Sequence, residues 1–166
     1  MKKKFPFNIG FQELPGKPMY CPEDLPDFVT DKFRAAKREV FGALILDSDF
    51  HLMGLDVISC GSEDSASFKP TDIFREVILK DGTYIVLIHN HPNERKVVPS
   101  ENDNKVTEMA AEMCRIMHLP LLDHCIIGSE VNFSYRLHGK ILKKAKKYRG
   151  IQRTVNTGKS GPTMST

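Results

Sequence analysis

Apolar and polar positions divide the chain into blocks, each with a length and period that predicts one element. Phe28, Val29, Phe33 and Ala36 share a face at helical spacing behind the acidic turn Pro22-Glu23-Asp24. They predict a helix over residues 22 to about 37, with Pro26 within its first turn. Val40–Leu46 is apolar throughout and reads as a buried strand. Asp47-Ser48-Asp49 turns it into a second strand over 51–59, making a hairpin. A loop over 61–67 leads to a helix opened by Pro70-Thr71-Asp72 and reaching residue 80, with Ile73, Phe74, Val77 and Ile78 inward. Asp81-Gly82 ends it, and a strand over 83–89 follows. Beyond a polar loop over 93–99, Ser100 starts a helix in which Val106, Met109, Ala110, Met113 and Met117 recur at helical spacing until Pro120 breaks it. Leu121–Ile127 is the next strand, Gly128 turns, and residues 131–137 return as the last one.

Adjacent strand pairs mixed with helices predict an α/β sandwich with a mixed sheet rather than an all-parallel one. Residues 1–21, broken by Pro6, Pro15, Pro18 and several glycines, read as an irregular N-terminal arm. Residues 22–137 read as one domain and 138–166 as a basic C-terminal tail. Residues 140–149 of that tail have one apolar side and could form a basic helix, and disorder is expected beyond Gly150.

Composition narrows the class of protein. A chain of 166 residues, 40% hydrophobic and 27% charged, is ordinary for one soluble globular domain with a tail. Its apolar runs are strand-sized, far below the roughly 18 residues of a membrane-spanning helix. Lys2-Lys3-Lys4 looks like the start of a signal peptide, but the residues after it form no apolar stretch, so a cytoplasmic chain is expected. Cys21, Cys60, Cys114 and Cys125 are scattered, which fits reduced, mostly buried thiols. Cys114 and His118 stand four apart and could share a metal, although a core-facing helix stripe accounts for both. The net charge of +3 hides an asymmetry: all 21 acidic residues lie at or before Glu130, while residues 131–166 carry nine basic ones. The body is acidic and the tail basic.

The candidate chemistry begins where the strand over 83–89 ends, in His89-Asn90-His91-Pro92. Side chains two apart on extended chain point the same way, so His89 and His91 face one pocket. Asp103, at the start of the following helix, could close it. Two imidazoles and a carboxylate, with a fourth position for water, form the ligand set of a catalytic zinc site. Ser100-x-x-Asp103 equally fits a helix capping box, the commoner role of that pattern, and the two roles are compatible. Glu39, at the mouth of an apolar strand, is by itself an end-of-helix acid. Asp123 and His124 read as hydrogen-bonded strand residues.

The residues from Glu39 to Asp47 resemble the first strand of the RadC-type proteins, members of the JAMM (MPN-positive) zinc metalloprotease superfamily with a JAB/MPN domain. Pro70-Thr71-Asp72-Ile73-Phe74 is similar to that group's helix before the metal strand. His89-Asn90-His91-Pro92 with Pro99-Ser100-Glu101-Asn102-Asp103 resembles its zinc motif. The residues from Leu121 to Gly128 and Phe133-Ser134-Tyr135-Arg136 resemble its last strands. The similarity spans about residues 22–137. It implies a cytidine-deaminase-like/MPN three-layer sandwich, α/β, with a mixed β-sheet flanked by helices. It also implies one Zn2+ per chain held by His89, His91 and Asp103, with Glu39 as general base toward the zinc-activated water. Ser100 would hydrogen-bond that water or the oxyanion. The implied function is a zinc-dependent metallopeptidase acting on peptide or isopeptide bonds, with a peptide or protein substrate of unknown identity. Two departures stand out. The loop between His91 and Ser100 is one residue longer than usual, setting Arg95 and Lys96 at the pocket's rim. RadC-type proteins also carry a helix-hairpin-helix segment, whereas about 21 irregular residues precede the first helix here, so a stand-alone catalytic domain like those on mobile elements is expected.

The alternative is a DNA-repair or mobile-element-associated protein whose metal site is structural or vestigial, with weak nucleic-acid contact through the basic tail. The acidic body argues against it. A metal-less scaffold is disfavoured because Glu39, both histidines, Ser100 and Asp103 occur together. A zinc deaminase would need H-x-E with a later P-C-x-x-C, which the chain lacks. A homodimer is left open, and no membrane partner is expected.

Overall fold

A computed structural model describes residues 18, 19, 24–61 and 70–141. The residue 20–23 and 62–69 segments, most of the N-terminal arm and the tail from 142 lie outside the described residues, and with them the expectations for the tail helix and the loop over 61–67 beyond its first residue. The elements are α1 (Asp27–Ala35), β1 (Val40–Leu46), β2 (Leu52–Cys60), α2 (Pro70–Leu79), β3 (Tyr84–Asn90), α3 (Glu101–Ile116), β4 (Leu121–Ile127) and β5 (Phe133–Ser134). The sheet runs β2-β1-β3-β4-β5. β1 is antiparallel to β2 and β3, β3 and β4 are parallel, and β5 is antiparallel to β4. This is the mixed α/β sheet expected from the strand order.

Both faces are covered, which explains why β1 is buried at every position. Val29 and Phe33 of α1 pack on Leu44, Leu46, Val86 and Ile88. Ile73, Phe74 and Val77 of α2, with Ala110 and Cys114 of α3, pack on Ala43, Ile45, Ile85 and Leu87 of the opposite face. Three layers result. Period-two alternation along β3 sends Asn90 to the α1 side and His89 to the α3 side.

Several boundaries differ from the periodicity. α1 begins at Asp27, with Pro26 as its extended N-cap residue rather than a residue of its first turn. Pro26 fixes an extended entry, and the chain before it is not helical at residue 25 or 26. Ile78 is 60% exposed and does not face inward, because the buried face of α2 is Ile73, Phe74 and Val77. Asp81 there takes φ 54°, and Gly82 N–H bonds the Val77 carbonyl at 2.9 Å. Gly82 is required at that point, since a Cβ would stand 2.4 Å from Ile45 Cγ2.

α3 ends at Ile116 rather than at Pro120. His118 adopts φ 55°, and Leu119 N–H bonds the Cys114 carbonyl at 3.0 Å, which closes a Schellman motif four residues before proline is reached. The buried face of α3 is Asp103, Thr107, Ala110 and Cys114, while Met109 and Met117 are 39% exposed. The expected last strand shrinks to Phe133–Ser134, since the chain coils into turns from Tyr135 onward. Cys60, Cys114 and Cys125 form no disulfide, and burial pushes the Cys114 thiol up to about 12, so it stays protonated at neutral pH. His118 is exposed, and among the described residues the metal-competent group of three includes neither it nor Cys114. Among the described residues no helix is long and apolar enough to cross a membrane.

Candidate metal centre

β3 and β4 are parallel, so α3 crosses between them and begins beside the C-terminal end of β3, the end at which open α/β sheets place ligands. His89 is the penultimate residue of β3 and His91 follows the strand. Asp103 is the third residue of α3. The strand end and the helix start bring their ligand atoms together, all within 4.8 Å of one another. His89 Nε2 lies 3.1 Å from Asp103 Oδ1, His91 Nε2 lies 3.4 Å from Asp103 Oδ2, and the two Nε2 atoms are 3.0 Å apart. His89 is fully buried and Asp103 is 6% exposed. Nitrogen, nitrogen and oxygen donors in one cluster, opening to the surface at His91, suit a divalent ion of the zinc kind with a position left over. This group could hold a metal ion.

Each histidine turns Nε2 into the cluster because Nδ1 has a partner behind it. His91 Nδ1 is 3.1 Å from Glu94 Oε2, and His89 Nδ1 is 2.8 Å from Nε2 of His124. Outer partners of this kind orient ligand rings in metal sites. His124 is itself fully buried, stacked on Tyr135 at 5.1 Å between centroids with Phe41 edge-on at 5.7 Å. Burial, reinforced by the neighbouring His89, holds its pKa well below the usual histidine range, so its ring is neutral. Asp123 faces the other way. Its carboxylate accepts from Ser134 Oγ, His124 N–H and Arg136 N–H, a structural role that ties β4 to the turn after β5.

Without a metal the cluster is a coupled acid and base. Burial alone would raise the Asp103 carboxyl, but hydrogen bonds from His89 and His91 outweigh it and hold that carboxyl far below the usual range. The Asp103 hydrogen bond, opposed by burial and aided by Glu94, raises His91 to about 9. A raised histidine stabilises the fold fully below its unfolded value of 6.5, and that contribution is lost as pH rises through about 9. The metal-free protein is therefore expected to lose urea resistance between pH 7 and about 9 relative to His91→Gln. Parallel pH profiles for the two proteins would contradict the coupling.

Ser100 is the N-cap of α3. Its hydroxyl accepts from Asp103 N–H at 3.1 Å and donates to Asp103 Oδ2 at 2.7 Å, while Ser100 N–H donates to the same Oδ2 at 2.7 Å. The capping box is complete, and it uses the same carboxylate that faces the histidines. Glu39 is exposed, just before β1. Carried two residues beyond the Phe41–His89 pair, the β1–β3 register sets it opposite His91, although its side chain is not drawn into the cluster.

Asn90 holds Glu39's segment in place. Its Oδ1 accepts from Val40 N–H at 2.7 Å, and its Nδ2 donates to the carbonyls of Arg38 at 3.2 Å and Ala36 at 3.4 Å. The middle residue of His-Asn-His thus serves the opposite face from its neighbours. Asn90→Ala is expected to destabilise the protein by about 1–3 kcal/mol, because a buried N–H loses its acceptor. Urea unfolding measures this, and an unchanged midpoint would show that the clamp contributes nothing.

The loop over residues 92–99 is anchored to the turn after β4. Val97 is buried, Lys96 bridges Val131, and Ser129 N–H and Val131 N–H bond the carbonyls of Glu94 and Arg95 at 2.8 and 3.2 Å. Arg95 is exposed and paired with Glu130 at 3.0 Å, and Lys96 is exposed beside it. Sequence reasoning did not find Glu94, His124 and Thr107 as partners of the site. A carboxylate three residues after His91 was the one available signal. Nothing in the letters links residues 107 and 124 to residue 89.

Residues 19–140 match the model of the RadC-like JAB domain family. A UPF0758 protein of Desulfitobacterium hafniense is 33% identical over 118 residues, which is 71% of this chain and 52% of the relative. A UPF0758 protein of Methanosarcina barkeri is 31% identical over 118 residues, 71% of this chain and 51% of its own length. One from Clostridioides difficile is 30% identical over 115 residues, 69% of this chain and 48% of its own. The chain spans about half the length of these curated relatives. A JAB domain with a His-His-Asp group is compatible with a metal-dependent hydrolase. With the family model covering most of the chain and the strand order agreeing, this protein belongs to the RadC-like JAB domain family.

Proposed function

We propose that this domain is a zinc-dependent metallopeptidase that hydrolyses peptide or isopeptide bonds, with His89, His91 and Asp103 as the metal ligands. The observation that carries the reading is the convergence of His89 Nε2, His91 Nε2 and the Asp103 carboxylate at the end of β3, with both outer ring nitrogens partnered. Zinc held there would supply a water with a pKa of about 7 and a Lewis acid for the scissile carbonyl. Glu39, two residues before the Phe41–His89 pair, would act as general base toward the attacking water and pass the proton to the leaving amine. Ser100 turns its hydroxyl proton from Asp103 to the tetrahedral oxyanion, a contribution of about 2.7–4 kcal/mol where such donors have been removed. Arg95 and Lys96 on the anchored loop meet the substrate at the rim. The test is elemental analysis together with hydrolysis of a peptide and isopeptide library by the purified chain. Stoichiometric zinc with metal-dependent cleavage supports the reading, and a chain that binds no zinc refutes it.

A second reading, nucleic-acid contact, is favoured only by the charge of residues 131–166, nine basic and none acidic. Such binding would weaken steeply with salt and disappear on deletion of 138–166.

A further inference from the structure

We infer that Thr107 and His124 form a hydrogen-bond chain with one permitted direction, which fixes the tautomer of His89 and aims a bare Nε2 lone pair at the metal position. The inference deepens the metal-centre reading and rests on it for its purpose, while the chain itself stands on geometry alone. It is read from its fixed end. The Asp103 main-chain carbonyl can only accept, and Thr107 Oγ lies 2.5 Å from it, so the hydroxyl proton lies between them. With its single proton so committed, Thr107 Oγ can only accept from His124 Nδ1, 2.6 Å away. His124 therefore carries a proton on Nδ1. Its ring is fully buried between a hydroxyl and an imidazole, with no carboxylate on either nitrogen, a place where a second proton is costly. His124 Nε2 is then bare and accepts from His89 Nδ1–H at 2.8 Å.

An imidazole protonated at Nδ1 presents its lone pair at Nε2. That atom stands 3.0 Å from His91 Nε2 and 3.1 Å from an Asp103 oxygen, so electron-rich atoms converge on a point that needs a positive centre, a proton or a metal ion. The opposite tautomer would put hydrogen where the metal must bind. α3 thus registers the site twice. Asp103 gives it a carboxylate, while its carbonyl, through Thr107 one turn on, sets the direction of the chain that ends at His89. Thr107 and His124 are positioning residues. They act through His89 and do not touch the reacting atoms.

Two measurements test this. Ring 15N spectra of the metal-free and zinc-loaded wild-type protein are expected to show His89 and His124 both protonated at Nδ1. Competition with a chromophoric chelator is expected to show zinc affinity reduced about 10- to 100-fold in Thr107→Val and regained in Thr107→Ser, with circular dichroism confirming that each variant folds. A His89 Nδ1 without its proton overturns the inference whether or not Thr107→Val folds. So does a folded Thr107→Val that binds zinc as tightly as wild type. A wild-type protein that binds no zinc instead refutes the metal-centre reading, and the tautomer spectrum still decides the chain.

Discussion

Glu39→Gln is expected to leave zinc content and fold intact while lowering hydrolysis about 10²- to 10⁴-fold, the share a positioned proton carrier contributes. Glutamine keeps the volume and the polar end but cannot take a proton. The side chain is exposed, so the substitution should cost no more than about 0.5 kcal/mol of stability. The residue's place is set by backbone: Asn90 bonds the main chain on either side of it, and the Glu39 carbonyl accepts from Gly61 N–H at 2.8 Å. Changing the side chain leaves these bonds in place. Turnover at wild-type rate with bound zinc would remove Glu39 from the mechanism. Loss of the metal would mean that its carboxylate reaches the cluster directly.

The second large effect is at Asp103, where two roles share one carboxylate. Asp103→Ala is expected to lose the zinc and also the carboxylate half of the capping box, the bond from Ser100 N–H, costing about 0.5–1.5 kcal/mol. Asp103→Asn separates the roles. Its carboxamide oxygen can still accept from Ser100 N–H, so the cap survives, but the negative charge that would bind a dication and that raises His91 is gone. Both variants should therefore be zinc-free by elemental analysis, and only the alanine variant should show the additional drop in urea midpoint. Equal midpoints would mean that the box adds no stability. Retained zinc in either variant would remove Asp103 from the ligand set.

Much of the architecture is written in local pattern. The apolar run Val40–Leu46, the turn after it and the two strands Tyr84–Asn90 and Leu121–Ile127 follow from composition and period, and the strand order alone favours a mixed sheet. The histidine pair and Ser100-x-x-Asp103 are visible because their spacing matches a strand and a helix turn. What escaped depends on tertiary context. The β3–β4 pairing shifts register between Ile85/Leu121 and Val86/Asp123, an irregularity that brings His124 opposite Leu87 and onto the His89 face. A regular strand would have put His124 on the face opposite Leu121, which packs with the α2–α3 core. The early stop of α3 depends on His118 adopting a left-handed conformation, which glycine ordinarily signals and a histidine does not. The shortness of β5 reflects the hydrogen bonds of Asp123 with Ser134 and Arg136, which favour a turn over continued pairing.

The central claim is that His89, His91 and Asp103 together hold one zinc ion. Elemental analysis of the purified protein beside His91→Ala tests it most directly. About one zinc per wild-type chain and almost none in folded His91→Ala is the predicted result. A wild-type protein free of zinc, or equal zinc in the two, would contradict the account.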